Sequence, residues 1–309
     1  FLFRVSEAPI DLFFVAFMTL FVVQFVMSIT KKSYRYSHRV AVLGLPRSGK
    51  TTMITVLFDR IISSTIAKKV SVQGNETVNR ITQNLHRLQN GEHLQPTTDN
   101  GVFAYRFGFE KYGFPIKKLF DVEVADFPGE YSADFATYQD MSEDFHGLFK
   151  KEFFSWIVRA DRYIFTIDTI SCVINGDKSR NAHEILIKNS VLNLKQELLD
   201  NGLENKKAIL VFTKCDALLA DKSVFSEESH EGTNESFFYG SGEIEELSTN
   251  AENIRRLAQR HDELRLKFES TIQFLRHNFD DVQVVFHSSY MDTPPTESAS
   301  ERIIAFMLP

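Results

Sequence analysis

The sequence predicts an α/β fold preceded by one membrane-spanning helix. Three observations predict it. Short runs rich in Val, Ile and Phe alternate with longer amphipathic stretches from His38 onward. A glycine-containing run, Gly44-Leu45-Pro46-Arg47-Ser48-Gly49-Lys50-Thr51, stands between one such strand and one such helix. Ahead of both, Leu12 to Thr30 carries no charged residue. The chain has 309 residues and a net charge of −6, which disfavours nucleic acid, a partner that asks for a basic face. Cys172 and Cys215 give no disulfide framework and fit a reducing compartment.

In chain order, the apolar stretch comes first. At helical rise it spans about 28 Å, the depth of a bilayer core. Lys31, Lys32, Arg35 and Arg39 follow it, so the positive-inside rule puts the C-terminal side in the cytoplasm. A cleaved signal peptide would want a basic leading region and a small-residue cleavage site, and neither is clear here. Residues 1–36 are therefore read as an anchor with a basic juxtamembrane segment. Residues 37–309 are read as one domain, with insertions near 68–95 and 217–250.

His38–Leu43 reads as a buried strand and Thr51–Ala67 as a helix. The loop between them fits G-x-x-x-x-G-K-[ST], whose backbone N–H groups curl around phosphates at a helix N-terminus. Gly44, Arg47, Ser48, Gly49, Lys50, Thr51 and Thr52 are the candidate phosphate residues. Lys50 should reach the outer phosphates and the Thr51 hydroxyl should hold Mg²⁺. The following polar segment contains a helix, Thr77–Leu88, with apolar residues at three- and four-residue spacing. Then Pro96-Thr97-Thr98-Asp99 precedes a strand at Val102–Phe109.

Lys118–Asp126 alternates apolar and polar residues and reads as a strand ending in Asp126-Phe127-Pro128-Gly129. That places a carboxylate at a strand's C-terminal end, where parallel α/β sheets bind ligands. Asp126 would hold Mg²⁺ through water, and the Gly129 N–H would bond the terminal phosphate and sense its loss. The aromatic and acidic run from Tyr131 to Lys150 reads equally as a helix pinned to the core and as a partner surface.

Tyr163–Asp168 is a buried strand, Ala182–Leu199 an amphipathic helix and Lys207–Phe212 another buried strand. The last ends in Thr213-Lys214-Cys215-Asp216, which fits [NT]-K-x-D. The Asp216 carboxylate can accept from guanine N1–H and its amine, a donor pair adenine lacks. The Lys214 stem can pack on the base. Residues 221–250 read as a surface insertion. Ala251–Asn278 reads as one long helix, Val282–His287 as the last strand and Ser300–Leu308 as a final helix.

Taken together, these loops resemble the Ras-like P-loop GTPases of the translation-factor-related class. The anchor is similar to that of the signal recognition particle receptor beta subunits, whereas the Asp-Phe-Pro-Gly-Glu run looks more like bacterial GTPases of uncharacterised role. The resemblance implies a mostly parallel sheet flanked by helices. It implies Thr97 as the first-switch threonine on Mg²⁺ and the terminal phosphate, with Thr98 the alternative. It implies Ser288 and Ser289 as a loop contacting the guanine oxygen. Where Ras-like enzymes carry a water-orienting glutamine, this chain has Glu130, whose ionised carboxylate only accepts hydrogen bonds. The catalytic candidates are thus Lys50, Thr97, Gly129 and Glu130, and the metal candidates Thr51, Thr97 and Asp126. The expected function is a membrane-anchored switch on the cytoplasmic side. It binds GTP or GDP with Mg²⁺, hydrolyses GTP, and meets a protein partner at its switch regions. The alternative is a slowly or non-hydrolysing GTP-binding scaffold at the membrane.

Overall fold

The computed structural model describes residues 8–29, 34–63, 70–90, 92, 94, 103–111, 118–137, 154–198, 202–203, 205–218, 251–289 and 299–309. Its helices are α1 (Ala8–Ile29), α2 (Lys50–Ser63), α3 (Asn75–Gln89), α4 (Gly129–Thr137), a short α5 over 154–158, α6 (Thr169–Ile174), α7 (Gly176–Leu198), α8 (Ala251–Lys267), α9 (Glu269–Asn278) and α10 (Ala299–Met307). Its strands are β1 (Tyr34–Gly44), β2 (Val70–Gln73), β3 (Phe103–Lys111), β4 (Lys118–Asp126), β5 (Arg162–Asp168), β6 (Lys207–Thr213) and β7 (Asp281–Phe286).

The strands form one sheet in the order β2-β3-β4-β1-β5-β6-β7. The pairs β1–β4, β1–β5, β5–β6 and β6–β7 are parallel. The pairs β2–β3 and β3–β4 are antiparallel. The sheet is thus mixed and mostly parallel, as expected. β1 lies between β4 and β5, so the chain leaves it toward both edges, and the loop after β1 sits at the crevice such a reversal opens.

Both faces of the sheet are covered, which explains the apolar strands. Alternate β1 residues divide between two cores. Val40 and Val42 face Met53, Leu57 and Phe58 of α2 and Ile303 and Phe306 of α10. Ala41 and Leu43 face the other core, with Phe135, Leu186, Val191, Phe212 and Phe268. Every residue of β5 after Arg162, and of β6 after Lys207, is buried.

Two expectations are corrected within the described residues. The polar segment after α2 holds a strand, β2, antiparallel to β3. Its four residues are too few for alternation to register as a pattern. The long C-terminal helix is two helices, parted at Phe268, which is fully buried and whose N–H is shared between Leu264 O and Arg265 O. One apolar stripe spans both helices, so periodicity did not reveal the break. Among the described residues no helix is long and apolar enough to cross a membrane, and the described side chains of α1 run only from Leu12 to Val26. All of those are exposed, Phe13 at 75% and Phe21 at 57% among them. Residues 219–250, most of the second expected insertion, lie outside the described residues.

Candidate functional site

The loop from Leu45 to Gly49 turns sharply between β1 and α2. Arg47 and Gly49 both take positive φ, 61° and 79°, an uncommon conformation for arginine. At Gly44 a Cβ would lie 2.0 Å from Thr166 Oγ1, so only glycine fits there. Thr166, at the C-terminal end of β5, donates to Leu43 O at 3.2 Å and meets Ser48 Oγ at 2.8 Å. The fully buried Ser48 side chain therefore braces the loop from beneath.

Lys50 opens α2 and is buried. Its Nζ donates to Gly44 O at 2.9 Å and to Leu45 O at 2.8 Å. Burial pulls its pKa down to about 8; the fields of Asp126 and Glu130 oppose that and Lys214 adds to it. Thr51 and Thr52 follow on α2, both half-buried. Asp126 ends β4 with no exposed surface. It pairs in register with Val42 of β1, three residues before the loop begins. Gly129 begins α4, and a Cβ there would lie 2.2 Å from Pro46 N. The acidic motif therefore lies directly against the phosphate loop, with Glu130 exposed beside it.

The other end is built from β5, β6 and β7. Thr213 Oγ1 donates to Ser48 O at 2.7 Å, with Ile167 O a second acceptor at 3.0 Å. Lys214 sits at φ 57°. Its Nζ donates to Arg47 O and pairs with Asp168 Oδ2, both at 2.8 Å. Asp168 also caps α6, its Oδ1 accepting from Ser171 N at 3.3 Å. The Ser288 hydroxyl donates to Asp216 Oδ1 at 2.7 Å. Burial still pushes the Asp216 carboxyl up from its ordinary value, against the pull of that hydroxyl. Backbone bonds from Cys215 N to His287 O and from His287 N to Phe212 O lock the two loops together. Beneath them, His183 of α7 is buried and its Nε2 accepts from Asp168 N at 3.4 Å. Burial lowers its pKa to about 4, assisted by Lys50 and Lys214 and opposed by Asp168. Cys215 is a packing residue, its thiol buried and pushed up to about 12.

The structure thus brings Gly44, Arg47, Ser48, Gly49, Lys50, Asp126 and Gly129 together with Thr213, Lys214, Asp216 and Ser288. Ser48 and Thr213 act on the loop backbone from below. Ser289 is half-buried beside Ser288. Thr97 and Thr98 lie outside the described residues. Three polar residues of this constellation, Thr166, Asp168 and His183, were not anticipated. For the first two the signal was present as a hydroxyl and a carboxylate at the C-terminal end of an otherwise apolar strand. His183 had none beyond an apolar helix face.

Among the described residues no group of three or more His, Cys, Asp or Glu forms a metal cluster. The chemistry of Thr51 and Asp126 instead fits a hard cation that keeps most of its water. A separate cavity of about 460 Å³ lies between α6 and α8, lined by Cys172, Val173, Arg256, Arg260 and Lys267 among others. None of the phosphate-loop or base-motif residues line it.

The family described as Double-GTPase 2 matches residues 38–274. No curated protein matches. Three solved structures are similar in fold. The Arl6 BBS3 small GTPase of Trypanosoma brucei, with a bound nucleotide analogue, is 11% identical over 88% of this chain and 95% of its own, with a TM-score of 0.39. The signal recognition particle receptor complex SRb-GTP/SRX of Chaetomium thermophilum is 13% identical over 88% and 99%, TM-score 0.40. The cytosolic domain of the FeoB iron transporter of T. maritima, in a GDP form, is 14% identical over 88% and 62%, TM-score 0.32.

Proposed function

This chain belongs to the Double-GTPase 2 family, and from that premise we propose that it binds GTP and GDP in the crevice after β1 and hydrolyses GTP as a switch. The observation that carries the reading is the direct bonding of Thr213 to Ser48 and of Lys214 to Arg47. Those bonds hold a guanine-type carboxylate, Asp216, at one side of the loop that presents Lys50. A base stacked on the Lys214 stem would place its N1–H and amine toward Asp216. Its polyphosphate would lie over the N-terminus of α2, with Lys50 supplying the opposing charge. The buried Lys50 ammonium, its pKa pulled down to about 8 by burial, gains most from a polyanion brought to it.

Thr51 and Asp126 would hold the nucleotide's Mg²⁺, which supplies charge neutralisation at the phosphates when bound. The close packing of the Gly129 backbone on the loop supports a role for its N–H in sensing the terminal phosphate. Thr97 is retained as the first-switch threonine on the resemblance alone. Glu130 favours the second reading, a scaffold that binds GTP and turns it over slowly, because an ionised carboxylate offers water no donor and repels phosphate. Competition of GTP, GDP and ATP for the full-length protein, with and without Mg²⁺, tests the site. Equal affinity for ATP and GTP would defeat it. Multiple-turnover GTP hydrolysis then separates switch from scaffold.

We also propose that α1 anchors the chain with its GTPase domain on the cytoplasmic side. Its 22 residues would extend about 33 Å, and its exposed Phe, Val and Leu side chains between Leu12 and Val26 would cost roughly 1–2 kcal/mol each to leave in water rather than lipid. Protein partners at the switch regions follow the same family logic. Flotation with phospholipid vesicles tests the anchor; a chain that stays at the bottom of the gradient rejects it.

A further inference from the structure

Glu130 follows directly on the point where the acidic motif touches the phosphate loop. Gly129 is buried, and the backbone there lies so close to Pro46 that a side chain would overlap the loop's own N and Cα, at 2.2 and 2.3 Å. That contact fixes where the next residue stands. Glu130 is exposed in the first turn of α4. Its negative charge already satisfies the positive end of that helix. It also reaches Lys50 electrostatically, supporting that ammonium against burial, second only to Asp126. Lys50 directs its protons at Gly44 O and Leu45 O, with Ser48 Oγ a longer third acceptor at 3.4 Å. Its remaining positive field is shared between Asp126, Glu130 and any ligand.

We propose that Glu130 is a specificity-determining residue whose carboxylate stands in the field a third phosphate would occupy and so biases the site toward the nucleoside diphosphate over the triphosphate. The proposal rests on the guanine-nucleotide reading above and adds which state of that nucleotide is preferred. An α- or β-phosphate lies over the α2 N-terminus, where the loop N–H groups compensate it. A terminal phosphate must approach Gly129, and there it meets a fixed negative charge. The triphosphate therefore loses affinity that the diphosphate keeps. The exposure of Glu130 makes this repulsion sensitive to salt.

The test is displacement of a fluorescent GDP from the full-length protein in detergent by GDP and by a non-hydrolysable GTP analogue, at low and high salt. Glu130→Gln keeps the side chain's size and removes its charge. The wild type should prefer GDP. In the Gln variant the ratio of the two dissociation constants should fall by about tenfold, through tighter analogue binding with GDP affinity unchanged. Raising salt should narrow the wild-type ratio relative to that of the variant. An unchanged ratio with both nucleotides bound overturns the proposal and leaves the guanine reading standing. Loss of both nucleotides to the same degree assigns Glu130 a structural role and also overturns it. Failure of the wild type to bind either nucleotide overturns both readings together.

Discussion

The two ends of the crevice are built differently. At the base end, side chains from three strands and their loops bond to one another and to the phosphate loop: Thr213 to Ser48, Lys214 to Arg47 and Asp168, Ser288 to Asp216. At the outer phosphate end, the contact between Gly129 and Pro46 is one of backbone packing. Hydrogen bonds demand fixed geometry, whereas a van der Waals contact is broken by a shift of an ångström. The base end is therefore preorganised to recognise. The phosphate end is placed to respond when a group arrives between Gly129 and the loop. A switch needs both, a constant grip and a variable one.

The largest expected effect falls on the constant grip. Asp216→Asn replaces a carboxylate that accepts twice by an amide that accepts once and donates. Two charge-assisted hydrogen bonds at about 2 kcal/mol each would be lost, roughly a thousandfold in GDP affinity. The Ser288 hydroxyl can still donate to the Asn oxygen, so the melting temperature should move little. Titration calorimetry and thermal melting check the pair. A variant that binds GDP within threefold of the wild type would show that Asp216 does not read the base, and the contrast between the ends would collapse.

Acid should weaken the base end next. His183 lies beneath Asp168 and is neutral when folded, with its pKa lowered to about 4 from 6.5. The unfolded chain therefore takes up the proton first. Stability is complete above about pH 6.5 and is lost as pH falls toward 4, by on the order of 3 kcal/mol at pH 4. His38 and His261 are depressed by burial in the same direction, so the whole fold shares the trend. His183→Gln removes one titration while leaving an acceptor for the Asp168 N–H. Urea unfolding at pH 7.5 and 4.5 should show a smaller pH difference in the variant. An identical difference would mean that His183 protonates without cost, and that the floor under the base end is less closed than its burial implies.

How much of this was legible in the sequence follows the same division. The phosphate loop announces itself, because only glycine tolerates the close approach at Gly44 and glycine takes the positive φ at Gly49 without strain. The strands from Lys118 and Lys207 were legible because their apolar runs are bounded by charge and turn residues. β2 was hidden by its length, and the break at Phe268 by an apolar stripe that runs through it. The braces Thr166, Asp168 and His183 were illegible for another reason. Each acts on a residue 46 to 118 positions away or across a helix, as in Asp168 with Lys214 and Thr166 with Ser48. Such pairings exist only once the sheet order is known.

The smallest predicted effect separates two roles carried by one brace. Asp168 caps α6 through Oδ1 and pairs with Lys214 through Oδ2. Asparagine caps helices about as well as aspartate, so Asp168→Asn should keep the cap and lose only the ion pair, lowering the melting temperature by no more than a few degrees. That pair is partly buried, with 32% and 12% of the two side chains exposed, and its loss should cost about 1 kcal/mol. The Lys214 stem would then be held over the base by the Arg47 carbonyl alone, and guanine nucleotide should dissociate roughly fivefold faster. Asp168→Ala removes the cap as well and should lower stability by a further 1 kcal/mol or so. Stopped-flow displacement and thermal melting distinguish the two variants. If Asn slows or leaves unchanged the dissociation while Ala merely melts earlier, Asp168 serves the helix and not the lysine. Lys214 would then be positioned by the phosphate loop itself, and the grip at the base end would depend on the same loop that the outer phosphate end contacts.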